Sequence, residues 1–166
     1  MWAALVPDAR LASVVEATPG FLAARGLGAV ILDLDNTLAV WNGEEPAPGV
    51  EAWLASLRSA GIGHVVLSNN GRRRVGAFGE RLGVPVLARA GKPRRAAFRR
   101  ALALLGADPG RTAVMGDRLL MDVWGGNRAG LYTVLVAPVD RRELWATRLV
   151  RRMEDAMVSR LPSVGA

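Results

Sequence analysis

The run Val30-Ile31-Leu32-Asp33-Leu34-Asp35-Asn36-Thr37-Leu38 constrains this chain more than any other stretch. An unbroken apolar run rich in branched side chains is how a strand reads when both of its faces are covered, the condition of a central strand in a parallel sheet. Here the run ends in two carboxylates. In open α/β sheets ligands bind beyond the carboxyl ends of the strands, so acids delivered at that end mark a candidate site. Side chains alternate across a strand, which puts Asp33 and Asp35 on one side and turns Leu34 into the core. Two close carboxylates repel unless a cation shares them, and hard oxygen ligands suit Mg²⁺. The same residues could form an ordinary Asx turn, so the choice rests on what the rest of the chain contributes.

At 166 residues, 51% of them apolar, the chain has the length and composition for one unit with its own core and is excluded from the disordered class. We expect a single domain over residues 1–166: a helical cover over 1–28, an α/β core over 29–138 and an amphipathic helix over 139–166. Cysteine is absent, which removes disulfides and thiolate metal sites and fits a reducing compartment. The apolar start at 1–6 is short, lacks a basic flank and is followed by Asp8, Arg10 and Glu16, so it reads neither as a signal peptide nor as a membrane span. The expected location is therefore cytoplasmic.

Charge is distributed unevenly. The chain has 22 cations and a net charge of +7, yet Lys92 is its only lysine. From Arg72 to Arg100 ten cations face the single acid Glu80, a local charge of +9. Most such residues form solvated helix faces, but a field of this size also attracts phosphate, whether on a small substrate, a membrane surface or nucleic acid.

Five strands alternate with helices. Beyond the run at 30–38, strands are expected at 63–67, 84–87, 112–115 and 131–136. Helices are expected at 48–60, 72–82, 118–129 and after Gly91-Lys92-Pro93, where Ala97, Phe98, Ala101, Leu102 and Leu105 form a core stripe. Ahead of the central strand, Leu11, Val14 and Val15 have helical spacing, Thr18-Pro19-Gly20 is a break, and 21–25 is a short helical turn. His64, the only histidine, falls inside a strand and reads as structural. Near the C-terminus Trp145, Leu149, Met153 and Met157 recur every four residues beside Arg148, Arg151 and Arg152. That stripe suits a helix docked on its own domain or, on the other reading, one lying on anionic lipid. Regular alternation of this kind predicts right-handed crossovers and a parallel sheet with helices on both faces.

Four of the strand ends carry polar groups: Asp33 and Asp35, Ser68 and Asn69, Lys92, and Asp117 with Asp122. Taken in order, Asp33-x-Asp35-Asn36-Thr37, Ser68, Lys92 and Gly116-Asp117-x₄-Asp122 resemble the four motifs of haloacid dehalogenase (HAD) superfamily phosphatases. The fuller set, with Val6-Pro7-Asp8, Ser68-Asn69-Asn70, Gly91-Lys92-Pro93 and Gly126-Asn127-Arg128-Ala129-Gly130, looks like the YqeG-type branch of HAD subfamily IIIA, related to mitochondrial phosphatidylglycerophosphate phosphatases. Met121 departs from that pattern, where a threonine is expected.

The resemblance implies an HAD-like Rossmannoid three-layer sandwich and a set of roles. Asp33 would be the nucleophile that carries an aspartyl-phosphate, and Asp35 the acid and base. Mg²⁺ would be held by Asp33, the backbone carbonyl of Asp35 and Asp117, with Asp122 close by. Ser68 and the amide of Asn69 would bind phosphate, Lys92 would offset charge, and Thr37 and Asn127 would support the site. About thirty residues separate Thr37 from Ser68, which leaves no room for an inserted cap, so the site should be open. An open, basic mouth suits a phosphorylated substrate that is large or surface-bound, such as a phospholipid headgroup met by peripheral contact with the inner face of a membrane. A small-metabolite or nucleotide phosphatase is the alternative enzyme. A non-catalytic protein using the Arg-rich face for RNA or membrane is the alternative without chemistry. The sequence leaves the oligomeric state open.

Overall fold

Burial of the apolar run decides the architecture. All four residues of β2 (Ala29–Leu32) are buried, with β3 (Gly63–Leu67) bonded to one edge and β5 (Thr112–Gly116) to the other. The computed structural model describes residues 2–140, in which β1 (Ala9–Leu11), β4 (Val86–Leu87) and β6 (Tyr132–Val136) complete a parallel sheet of order β1-β6-β5-β2-β3-β4. From β2 the chain steps outward to β3 and β4, then returns across β2 to β5 and β6. The reversal between β2 and β5 is the switch point at which open α/β sheets form their clefts.

Alternation along β2 builds two cores. Val30 and Leu32 pack on one face with Leu54 and Leu57 of α2 (Val50–Ser59) and Val75 and Phe78 of α3 (Arg72–Leu82). Ile31 turns the other way, toward Ala97, Phe98 and Ala101 of α4 (Arg95–Leu105) and Leu131. Helices thus cover both faces in three layers. Phe98 is fully buried, a contribution of about 3 kcal/mol from its ring alone. As expected from its spacing, Leu105 joins that stripe as a partly buried member.

The sheet has six strands rather than five. Ala9–Leu11 adds to the edge as β1, with Ala9 opposite Val134 and Leu11 opposite Val136. Three residues are too few for a period of two to stand out, and the spacing of Leu11, Val14 and Val15 imitates a helix. Only Val14–Glu16 is helical there, as a 3₁₀ turn capped by Ser13. The edge is fixed by Asp8, whose Oδ2 accepts from Thr133 N at 2.7 Å and Thr133 Oγ1 at 3.0 Å. Thr18-Pro19-Gly20, expected as a break, instead starts α1 (Pro19–Ala23): Thr18 Oγ1 accepts from Phe21 N, and Pro19 occupies the first turn. Trp53 Nε1 donates to Ala17 O at 2.9 Å and ties this cover to α2.

Between Thr37 and Ser68 the chain forms α2 and β3, and between Ser68 and Lys92 it forms α3 and β4, with no inserted domain. Among the described residues no helix is long and apolar enough to cross a membrane. The expected C-terminal stripe of Trp145, Leu149, Met153 and Met157 lies outside the described residues.

Candidate active site

Asp33 follows β2 directly, and its backbone N still donates to Met115 O at 2.9 Å. The chain then leaves the sheet in a tight turn, with Leu38 N bonded to Leu34 O and Asn36 at φ 60°. This turn, more than strand alternation, brings Asp35 round to the same cleft as Asp33. The cleft has a volume of about 170 Å³, and its lining includes Asp33, Asp35, Ser68, Asn69, Lys92, Asp117 and Asp122. Four segments far apart in sequence therefore meet at one place, beyond the carboxyl ends of the central strands.

Its floor is acidic. Carboxylate oxygens of Asp33, Asp117 and Asp122 lie within 4.8 Å of one another, and all three residues are buried. Lys92 Nζ bridges two of them, at 2.6 Å from Asp33 Oδ1 and 2.6 Å from Asp122 Oδ1. Burial opposes the charge on Lys92, but Asp122 and Asp33 outweigh it and hold the ammonium above its ordinary range. Asp122 moves the other way. Burial pushes its carboxyl up to about 6, and the charge on Asp33 adds to the rise while Lys92 and the Arg118 amide restrain it.

That shift has a consequence for stability. A carboxyl raised in the folded state keeps a proton that the unfolded chain has already lost, so stability falls as pH rises through about 4 to 6. In chelator, Asp122 should add on the order of 1 kcal/mol to the unfolding free energy on going from pH 7 to pH 5, by the linkage relation. Urea unfolding at the two pH values checks this, using Asp122→Asn as the control that should abolish the gain. A gain unchanged in the control contradicts the assignment.

The position of Asp122 depends on Gly116. A Cβ at residue 116 would stand 2.2 Å from Asp122 Cγ, so only glycine lets the carboxylate lie against the end of β5. Asp122 itself comes from a π-helical turn, Leu119–Trp124, that runs into α5 (Gly125–Ala129) where one regular helix was expected. In that turn Asp122 N and Val123 N both donate to Arg118 O. Asp122 Oδ2 in turn accepts from Arg118 N at 3.2 Å.

Asp35 brings no carboxylate oxygen to the acidic cluster. Its oxygens accept instead from Asn42 N at 3.1 Å and from Asn70 Nδ2, and Oδ1 lies 2.8 Å from Arg74 Nη1. Asn42, Asn70 and Arg74 were not singled out as site residues, and neither was Trp41, which lines the cleft mouth at 38% exposure. Their link to Asp35 has no local sequence signal, since Asn70 and Arg74 lie 35 and 39 positions away. The side chain of Asn69 organises the Lys92 segment: its Oδ1 accepts from Gly91 N and Lys92 N, and its Nδ2 donates to Lys92 O. Ser68 Oγ accepts from Asn70 N at 3.1 Å. Thr37 Oγ1 donates to Asp33 Oδ2 at 3.2 Å.

Asn127 lies elsewhere. Both of its amide hydrogens are taken, by Ala4 O at 2.9 Å and Val6 O at 3.0 Å, and its Oδ1 accepts from Thr133 Oγ1. It therefore has no donor left for Asp122 and instead holds the N-terminal segment against the sheet.

The fold is that of a doubly wound α/β protein, with three buried acids and one lysine gathered at the switch point of its sheet. Residues 9–130 match the family model of haloacid dehalogenase-like hydrolases, and the chain belongs to that family. It is 38% identical over 160 residues to the "Probable phosphatase YqeG" of Bacillus subtilis (strain 168), a match covering 96% of this chain and 93% of that protein, which places it in the YqeG-type branch. Identity to the chloroplastic phosphatidylglycerophosphate phosphatase 1 of Chlamydomonas reinhardtii is 31% over 154 residues, 87% of this chain and 57% of that protein. Among solved structures, an uncharacterized protein from Listeria monocytogenes serotype 4b has the same fold, with TM-score 0.57 and 18% identity over 80% of this chain and 98% of that one.

Proposed function

We propose that this chain is a phosphomonoester hydrolase that works with Mg²⁺ through an aspartyl-phosphate on Asp33. The observation that carries the reading is the charge balance of the buried cluster. Three carboxylates against one ammonium leave a formal charge of −2, which a divalent cation matches. The donors are all oxygen, which fits Mg²⁺ better than softer metals. Asp33, Asp117 and Asp122 would hold the ion, with the backbone carbonyl of Asp35. Bound there, it would polarise a phosphate oxygen and let two anions approach.

The remaining chemistry falls to the chain's own groups. One Asp33 oxygen bonds to phosphorus as the ester oxygen leaves, and Asp35 protonates that oxygen. Asp35 then takes a proton from water, whose oxygen attacks phosphorus and returns Asp33 as a carboxylate. Lys92 and Thr37 hold the Asp33 carboxylate in one orientation. Ser68 Oγ already accepts from Asn70 N, so its O–H is the donor it has for a phosphate oxygen, beside the amide of Asn69.

For the substrate, similarity to the Chlamydomonas protein supports phosphatidylglycerophosphate. Exposed Val40 and Trp41, with Trp41 at the cleft mouth, and exposed Arg72 and Arg73 at the start of α3 suit an amphipathic anion. The test is phosphate release from phosphatidylglycerophosphate in mixed micelles, glycerol 3-phosphate and phenyl phosphate, each with Mg²⁺ or with chelator. The lipid should be turned over fastest, and chelator should stop release from all three. Preference for the soluble esters would reassign the substrate to small metabolites. Failure to release phosphate from any of them would favour the non-catalytic RNA- or membrane-binding reading.

A further inference from the structure

Arg74 is set apart from the other arginines of the basic run. Its side chain is only 19% exposed, whereas Arg72 and Arg73 beside it point to solvent. From the first turn of α3 its guanidinium reaches two partners at once. Nη1 lies 2.8 Å from Asp35 Oδ1, while Nη2 and Nε donate to Gly43 O at 2.7 Å and 3.2 Å.

Gly43 closes a tight turn, donating its N–H to Val40 O at 2.9 Å. Asn42, at φ 55°, supplies the left-handed step of that turn, and its backbone N donates to Asp35 Oδ1. Trp41 therefore stands one residue from an amide bonded to Asp35, at the mouth of the cleft. On the phosphatase reading, on which this inference rests, Asp35 meets the leaving oxygen. The group that oxygen carries would then lie in the cleft that Trp41 also lines.

We propose that Arg74 is a positioning residue for this site: by holding Asp35 and the turn at 40–43 on one planar fork, it sets where Trp41 stands and hence which leaving groups the cleft accepts. The geometry asks for five fixed N–H donors in a plane. A lysine ammonium is a single point of charge on a flexible stem and does not reproduce the spread between Nη1, at Asp35, and Nη2 and Nε, at Gly43 O.

The test compares phenyl phosphate with glycerol 3-phosphate, reading kcat and KM separately for the wild type, Trp41→Ala, Arg74→Gln, Arg74→Lys and the double variant Trp41→Ala/Arg74→Gln. Each single variant should raise KM for phenyl phosphate about ten-fold more than for glycerol 3-phosphate, the size of one aromatic contact, and the ratio is read in KM because any effect on Asp35 as the acid falls on kcat. If Arg74 acts through Trp41, the double variant should be no more selective against phenyl phosphate than either single one. A ratio unchanged in Arg74→Gln, or additive effects in the double variant, overturns the proposal. Arg74→Lys reads the same ratio with the charge kept, so it decides the matter if Arg74→Gln does not fold. Asp33→Asn separates the two levels: activity surviving that substitution defeats the phosphatase reading itself, whereas its loss alongside an unchanged ratio defeats only the role of Arg74.

Discussion

Asp33→Asn should lower phosphate release by roughly 10⁴-fold or more, the scale on which removal of a covalent nucleophile is measured. An amide cannot form the bond to phosphorus, and the surrounding cleft can only bind and orient what remains. The substitution keeps the side chain's shape. It also lowers the formal negative charge of the cluster from −2 to −1, since Lys92 still lies 2.6 Å from Asp122. The metal-free variant should therefore be no less stable than the wild type. That pairing of a large loss of rate with an intact fold distinguishes a reacting group from a structural one. Phosphate release within ten-fold of wild type would contradict it.

Lys92→Met tests the same cluster through stability. The methionine fills the space of the lysine stem but leaves Asp33 and Asp122 buried without the ammonium between them. Breaking a buried pair by removing one partner costs about 3–5 kcal/mol, because an uncompensated charge stays in a medium of low dielectric. Lys92 bridges two carboxylates, which puts the expected loss at the upper end of that range. Urea unfolding at pH 7 in chelator measures it. Added Mg²⁺ should restore part of the loss, since a divalent ion among the remaining carboxylates offsets the same charge. A variant within about 1 kcal/mol of wild type, the ordinary worth of a surface pair, would mean that Lys92 does not organise the cluster.

Lys92 was also the most legible residue of the site. It is the single lysine in an arginine-rich chain, and its place before a helix matched the order of the other strand-end groups. Asp33 was legible because a doubly buried strand must end somewhere, and a carboxylate at that end has no packing reason to be there. Asp117 was legible for the same reason after β5, where Gly116 gave a second signal whose cause emerged only in space: a Cβ there would collide with Asp122.

What escaped the sequence was long-range and polar. Arg74 sits in a run of arginines, and nothing local marks it as the one that turns inward to Asp35 and Gly43. Asn127 was expected to support the site, by orienting Asp122 or by fitting a helix end. The π-helical turn changes the facing of residues 119–124, and the Asn127 amide instead serves the N-terminal carbonyls of Ala4 and Val6. The strand Ala9–Leu11 was hidden by its length, and only its pairing with β6 defines it. In each case the deciding partner lies dozens of residues away, beyond the reach of any local period.

The central claim is that Asp33 accepts the phosphoryl group. It is tested most directly by trapping that group in Asp35→Asn with p-nitrophenyl phosphate and Mg²⁺. The nitrophenolate leaves without help from an acid, while the following attack by water lacks its base, so the acyl phosphate should accumulate. Acid quenching, borohydride reduction and peptide mapping should then find homoserine at residue 33 and at no other aspartate. Nitrophenolate released with no reducible acyl phosphate at residue 33, or with one at Asp117 or Asp122, would contradict the account.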